Sequence, residues 1–190
     1  MIIRLIDILA ALFGLLLAAL FGLLLGAPLL AVLWVIGWFD TRSPLFRQER
    51  VGRHQQPFVL VKFRTMRPDT ASVATHLADA SAVTVFGRFL RRTKLDELPQ
   101  LWNVLKGDMS IVGPRPMMPA EISRLSSQQL QRFEVLPGVT GLAQVNGRSE
   151  LGAEKYVGHD LDFISNYSAR LYWKIILRTP VSILSGRGAS

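Results

Sequence analysis

No cysteine occurs anywhere in the chain, so disulfides, thiolate metal sites and cysteine nucleophiles are all excluded. Histidine is nearly as scarce. His54, His76 and His159 have no metal-ligand spacing to one another, which leaves a zinc site without support. The Walker lysine loop, the glycine-rich dinucleotide fingerprint and the G-x-S-x-G elbow are also missing, and with them the usual signatures of ATPases, Rossmann enzymes and serine hydrolases. Any catalysis therefore rests on carboxylates, hydroxyls, histidines or basic side chains. Acidic residues are outnumbered 14 to 22 by Lys and Arg, a formal net charge of +8, which points to anionic partners: phosphates, nucleic acid or an anionic lipid surface.

Charge is absent altogether from Ile8 to Phe39. As a helix rising about 1.5 Å per residue, this run exceeds the roughly 20 residues that cross a bilayer, and it is too long for the apolar core of a signal peptide. It belongs in a membrane. Pro28 interrupts it, and Trp34 and Trp38 beyond the proline are of the kind that settle at interfaces. Hydropathy alone leaves two topologies, a single tilted span or a re-entrant hairpin bent at Pro28. Arg4 on one flank and Arg42, Arg47, Arg50 and Arg53 on the other lean towards the hairpin. The 190 residues then leave room for one membrane segment and one modest globular domain.

Beyond Asp40 the pattern predicts an α+β fold, mostly helical. Phe58–Phe63 (FVLVKF) reads as a strand, and Gly52 with the polar RHQQP before it makes a small β-hairpin. Pro68–Ala82 is small and polar, a loop or short helix. From Thr84 to Arg92, Val85, Phe86, Phe89 and Leu90 alternate with Arg88, Arg91 and Arg92 as in an amphipathic basic helix suited to a headgroup surface. Leu98, Leu101, Trp102 and Leu105 are spaced for a further helix that stops at Gly107. Pro137–Arg148 reads as loop and short strand. Tyr172, Trp173, Ile175 and Ile176, beside Lys174 and Arg178, read as another interfacial helix, interrupted at Pro180.

The chemistry centres on two adjacent carboxylates, Asp96 and Glu97. Pro99 is tolerated only in a first helical turn, so the helix is expected to begin near Asp96, with both carboxylates at its positive end. Thr93 with Asp96 also fits a capping box, in which one carboxylate caps and the other is solvated. Residues 41–118 nevertheless hold thirteen Lys or Arg against six Asp or Glu. Carboxylates kept among so many cations suit magnesium binding or nucleophilic work, and magnesium commonly accompanies phosphate substrates. Arg115, between Pro114 and Pro116, has a guanidinium fork that matches phosphate oxygens. Lys62, Arg64 and Arg67 are further phosphate-binding candidates, or else a solvated basic rim.

Six motifs, in order along nearly the whole chain, carry a resemblance. They are Phe46–Gly52 (FRQERVG), Lys62–Met66 (KFRTM), Leu95–Leu101 (LDELPQL), Asn103–Ser110 (NVLKGDMS), Val112–Pro116 (VGPRP) and Pro137–Arg148 (PGVTGLAQVNGR). Together they resemble the bacterial sugar transferases, and more narrowly the small monotopic phosphoglycosyl transferases. The resemblance implies transfer of a sugar 1-phosphate from a UDP-sugar to undecaprenyl phosphate with release of UMP. It implies Asp96 as nucleophile and magnesium ligand, Glu97 as its assistant, and Arg115 and Arg91 at phosphate. The late glycine-rich motif, with Gly138, Thr140, Gln144, Asn146 and Arg148, maps to the nucleotide side.

The same resemblance favours the re-entrant helix bent at Pro28 over residues 1–41, both ends cytoplasmic. Residues 42–190 then form the catalytic domain, at the cytoplasmic face of a bacterial inner membrane. Mg2+, a UDP-sugar, undecaprenyl phosphate and anionic lipid are the implied partners; nucleic acid is not, and a homodimer is compatible. With no further membrane bundle ahead of the domain, the chain resembles the minimal form. Ala27 replaces a common serine, Ser43-Pro44 a common glycine-proline, and Tyr172 a common aspartate. The arm from Asp7 to Pro28 is also longer than usual. Two rival functions stand beside this reading, a membrane-anchored magnesium-dependent phosphohydrolase and a non-catalytic basic binding module.

Overall fold

The computed structural model describes residues 2–10, 27–70, 80–147 and 152–185. It is mostly helical with two small strand pairs, an α+β fold. Among the described residues no helix is long and apolar enough to cross a membrane. The arm on which the re-entrant helix depends, residues 11–26, lies outside them, as does most of the 68–82 segment. The chain divides into two compact units: residues 1–48 with 61–105, and residues 49–60 with 106–190.

In the first unit, helix α1 covers residues 2–10 and helix α2 Ala27–Thr41. As far as Phe39, α2 is apolar on every side, so its packing has to be selected by size. Its buried stripe is Leu33, Gly37 and Thr41, while Leu29, Leu30, Trp34, Val35, Trp38 and Phe39 are exposed. Gly37 belongs to this stripe because an added Cβ would press to 3.1 Å from Cβ of Pro44. Pro28 sits in the first turn, where its missing N–H is harmless. The helix ends with Arg42 in a left-handed conformation (φ 55), its N–H donating to the Trp38 carbonyl at 2.8 Å.

Strands β1 (Leu45–Val51) and β2 (Pro57–Phe63) form the expected antiparallel hairpin. Residues 45–48 and 61–63 belong to the first unit and 49–60 to the second. Helix α3 (Val85–Thr93) starts where its polarity pattern placed it, with the Thr84 hydroxyl accepting from the Gly87 N–H at 2.8 Å. Gly87 lets α3 approach the chain after β2, since a Cβ there would lie 2.0 Å from the Thr65 carbonyl oxygen. Leu33, Phe63 and Leu90 form one core cluster, with Leu45, Phe86 and Leu95 packed on it.

The helix after the carboxylates differs from expectation in start and in facing. It is α4, Gln100–Lys106, and its buried residues are Gln100, Asn103 and Val104, whereas Leu98, Trp102 and Leu105 are exposed. Polar residues turn inwards because Asn103 Oδ1 accepts from the Val61 N–H of β2 at 3.2 Å, fixing helix to strand. The helix stops at Gly107, left-handed at φ 89, as the sequence predicts.

In the second unit, β3 (Ser110–Val112) pairs in parallel with β4 (Gly138–Thr140), Ser110 opposite Gly138 and Val112 opposite Thr140. Helices α5 (Pro119–Ile122), α6 (Leu142–Val145), α7 (Ala153–Ser165) and α8 (Ala169–Leu184) complete it, with a 3-10 turn at Gln129–Glu134. α6 and α7 lie where the sequence showed only loop or no clear pattern.

α8 fastens to the strands through Tyr172, whose hydroxyl hydrogen-bonds Ser110 at 3.1 Å, and Thr179, whose hydroxyl meets Thr140 at 2.9 Å. The expected interruption at Pro180 does not occur. α8 runs through it with Pro180 exposed, and Thr179 Oγ1 bonds the Ile175 carbonyl at 2.8 Å.

Candidate active site

Asp96 and Glu97 lie on a 3-10 turn, Leu95–Glu97, and not inside a helix. The turn exists because α3 is closed by Lys94 in the left-handed conformation (φ 60), which redirects the chain abruptly. Thr93 does not cap this turn. Its hydroxyl donates backwards to the Phe89 and Leu90 carbonyls at 2.9 and 3.2 Å. The N–H groups of Glu97 and Leu98 are spent on the Lys94 and Leu95 carbonyls, so neither the capping box nor the positive helix end that the sequence implied is realised. Instead the turn holds Asp96 at 7% exposure with Glu97 beside it half-buried.

The other expected residues of this unit surround the strand and α3. Arg91 donates from Nε to Thr65 Oγ1 at 3.0 Å. Lys62 and Arg64 both lie over the Phe46 ring, 5.4 and 5.2 Å from its centroid. Arg64 also donates to the Ser43 carbonyl at 2.9 Å, so part of its fork anchors the chain after α2.

Arg115 belongs to the second unit, exposed between buried Pro114 and Pro116. Gly138 and Thr140 are buried in β4, where Gly138 permits contact with Gly113 that a Cβ would close to 2.0 Å. Gln144 on α6 is buried, and neither atom of its amide has a protein partner among the described residues. Asn146 is exposed just after it, and Arg148 lies outside the described residues.

Three residues the sequence did not single out are buried in this unit. Arg50, read as a flanking charge, is 7% exposed and donates from Nη1 to the Pro116 carbonyl at 3.0 Å. Burial lowers its pKa to about 10, helped by repulsion from Arg115 and opposed by attraction to Glu121. Arg132 and Asp160 form an ion pair at 2.7 Å with side chains 3% and 1% exposed.

Burial pushes the Asp160 carboxyl up from 3.8 to about 6, and the Arg132 guanidinium offsets part of that rise. The folded state therefore holds this proton more tightly than the unfolded chain. The stability tied to it is full below about pH 4 and is lost as pH rises through 6. The unfolding free energy of the wild type minus that of Asp160→Asn is thus expected to fall by up to ~3 kcal/mol over that window, as denaturant titrations would report.

A model of a family described as bacterial sugar transferase matches residues 1–186. The chain belongs to this family. It is 44% identical over 77% of its length to an uncharacterized sugar transferase, EpsL, of Bacillus subtilis, covering 73% of that protein. It is 41% identical over 84% to a UDP-glucose:undecaprenyl-phosphate glucose-1-phosphate transferase of Caulobacter vibrioides, covering 64% of it. It is 34% identical over 86% to an undecaprenyl-phosphate galactose phosphotransferase of Salmonella typhimurium, covering 38% of it. The chain thus spans less than two thirds of the two relatives named for a reaction.

Proposed function

We propose that the chain transfers a sugar 1-phosphate from a UDP-sugar to undecaprenyl phosphate, releasing UMP. The observation that carries this is the pair of adjacent carboxylates, Asp96 and Glu97, in a tight turn directly after the basic helix α3. The names of the Caulobacter and Salmonella relatives supply the substrate class.

In this reading an Asp96 oxygen attacks the phosphorus that bears the sugar, and the bond to the bridging oxygen breaks, that oxygen leaving with UMP. An oxygen of undecaprenyl phosphate then attacks the same phosphorus and breaks its acyl-phosphate bond to Asp96, giving the lipid diphosphate sugar and releasing the carboxylate. Glu97 assists as acid, base or positioning group. Arg115 supplies a planar fork for diphosphate oxygens, with Arg91, Lys62 and Arg64 as further cations and Gln144 and Asn146 as amides for the nucleotide.

Magnesium fits this donor set in a limited way. Among the described residues no three acidic or histidine side chains converge. A cation that accepts one or two carboxylates and completes its shell with phosphate and water needs no such cage, so Asp96, with Glu97 beside it, would hold it. A magnesium ion held there would offset negative charge on the diphosphate.

The membrane half of the proposal rests on α2. A helix apolar all round, with Trp34 and Trp38 stacked 5.7 Å apart and exposed, needs an apolar surrounding. We place residues 1–41 in the cytoplasmic leaflet of the inner membrane as a re-entrant helix, and 42–190 at its surface. The chain lacks cysteine, so single cysteines at Ile2 and Arg47, both exposed, label without background. Both are expected to react with an impermeant thiol reagent only after the inner face is opened; labelling from opposite faces would reject the hairpin.

The reaction itself is tested by presenting UDP-sugars with undecaprenyl phosphate in detergent and identifying products by mass spectrometry. UMP with a lipid diphosphate sugar is the expected pair. UMP with free sugar phosphate would make the chain a phosphohydrolase.

A further inference from the structure

The loop that carries Arg115 is tied down in an unusual way. Pro114 and Pro116 have no N–H, so this stretch can be fixed chiefly through its carbonyls. Four carbonyls in succession are taken. Pro114 accepts from the Gly138 N–H at 2.8 Å, Arg115 from Arg132 Nη2 at 3.0 Å, Pro116 from Arg50 Nη1 at 3.0 Å and Met117 from the Val51 N–H at 2.9 Å. The Met118 N–H closes the run on the Glu121 carboxylate at 2.7 Å.

Two of these donors are buried guanidinium groups, at 4% and 7% exposure. Burying a cation is costly, and for stability alone a well-packed apolar residue serves as well or better. Arg50 in particular lies in the repulsive field of Arg115. What the guanidinium groups provide is direction: planar donors set the orientation of the two peptide planes that flank Pro116, those of Arg115–Pro116 and Pro116–Met117. With those planes turned inwards, the Arg115 side chain is the exposed one between two buried prolines.

We propose that Arg50 and Arg132 are positioning residues, which aim Arg115 at substrate phosphate by holding the carbonyls of Arg115 and Pro116, with Asp160 orienting Arg132. The proposal rests on the reading of Arg115 as a phosphate ligand. Asp160 fits its part, since its Oδ2 lies 2.7 Å from the same Nη2 that donates to the Arg115 carbonyl.

The decisive variants are Arg50→Met and the double variant Arg132→Met with Asp160→Leu, which removes both members of the ion pair and leaves no buried charge unpaired. Hydrogen exchange at the Arg115, Met117 and Met118 amides is measured together with kinetics on UDP-galactose and UDP-glucose. In both variants exchange there is expected to quicken by about tenfold or more. KM for the sugar nucleotide should rise by a similar factor, with melting temperature nearly unchanged. A purely structural role predicts that the double variant keeps wild-type KM. That result, or wild-type exchange at these amides in both variants, would overturn the proposal. Arg115→Lys separates the two readings: it should impair turnover without altering exchange. If it turns over normally, the phosphate role of Arg115 fails, whatever the exchange data say of the carbonyl ties.

Discussion

Asp96→Asn is expected to lose turnover by at least about 10³-fold, with the fold intact. The substitution keeps size and shape at a buried position, so packing in the Leu95–Glu97 turn is preserved. What changes is chemistry. An amide oxygen is a poor nucleophile towards phosphorus and a weaker partner for a hard cation, so both the bond-forming step and the neutralisation of the diphosphate suffer. Steady-state UMP release in detergent, alongside a thermal melt, separates lost chemistry from lost structure. Glu97→Gln should slow the cycle severely but less completely, because in the proposed mechanism its group assists and does not form the bond. A smaller effect at Asp96 than at Glu97 would reverse their roles.

Arg115→Lys should lower kcat/KM by about a hundredfold, the cost seen when one donor that stabilises transition-state charge is removed. The ammonium keeps the charge but gives up the planar fork that two phosphate oxygens engage at once. The position makes this substitution informative. The side chain is exposed, and the bond that Arg132 makes goes to the Arg115 backbone carbonyl, which the substitution does not alter. Equal kcat/KM in the two proteins would return Arg115 to the basic rim.

Much of the fold is legible in the sequence because its signals are local. α3 announces itself through Thr84 and the spacing of Phe86, Leu90 and the arginines, and Gly107 marks the end of α4. At the carboxylate turn the local signal misleads, because Pro99 argues for a helix start whereas the deciding residue is Lys94. Nothing in a lysine advertises the left-handed conformation it adopts there. The facing of α4 is equally opaque, since Asn103 turns inwards to satisfy a strand N–H far away in sequence.

Arg50, Arg132 and Asp160 show what a local reading passes over. Arg50 shares one face of β1 with Phe46 and Gln48, a period-two pattern present in the sequence but masked by the charge of its members. Asp160 falls on the apolar stripe of α7 between Val157 and Phe163, which is the signal that marks it as a buried carboxylate. Its partner Arg132 has no comparable sign. The proposed nucleophile and phosphate fork are legible from motifs; the groups that hold the fork in place are not, because they act through backbone atoms that carry no sequence identity.

The claim that Asp96 forms a covalent intermediate can be checked by isotope exchange. In a two-step displacement the first half-reaction needs no lipid acceptor. Purified protein with magnesium, labelled UMP and either UDP-galactose or UDP-glucose, free of undecaprenyl phosphate, should therefore pass label into the sugar nucleotide, and Asp96→Asn should abolish that passage. Exchange that appears only when undecaprenyl phosphate is added, or that persists undiminished in Asp96→Asn, would contradict the claim and favour direct transfer between the two substrates.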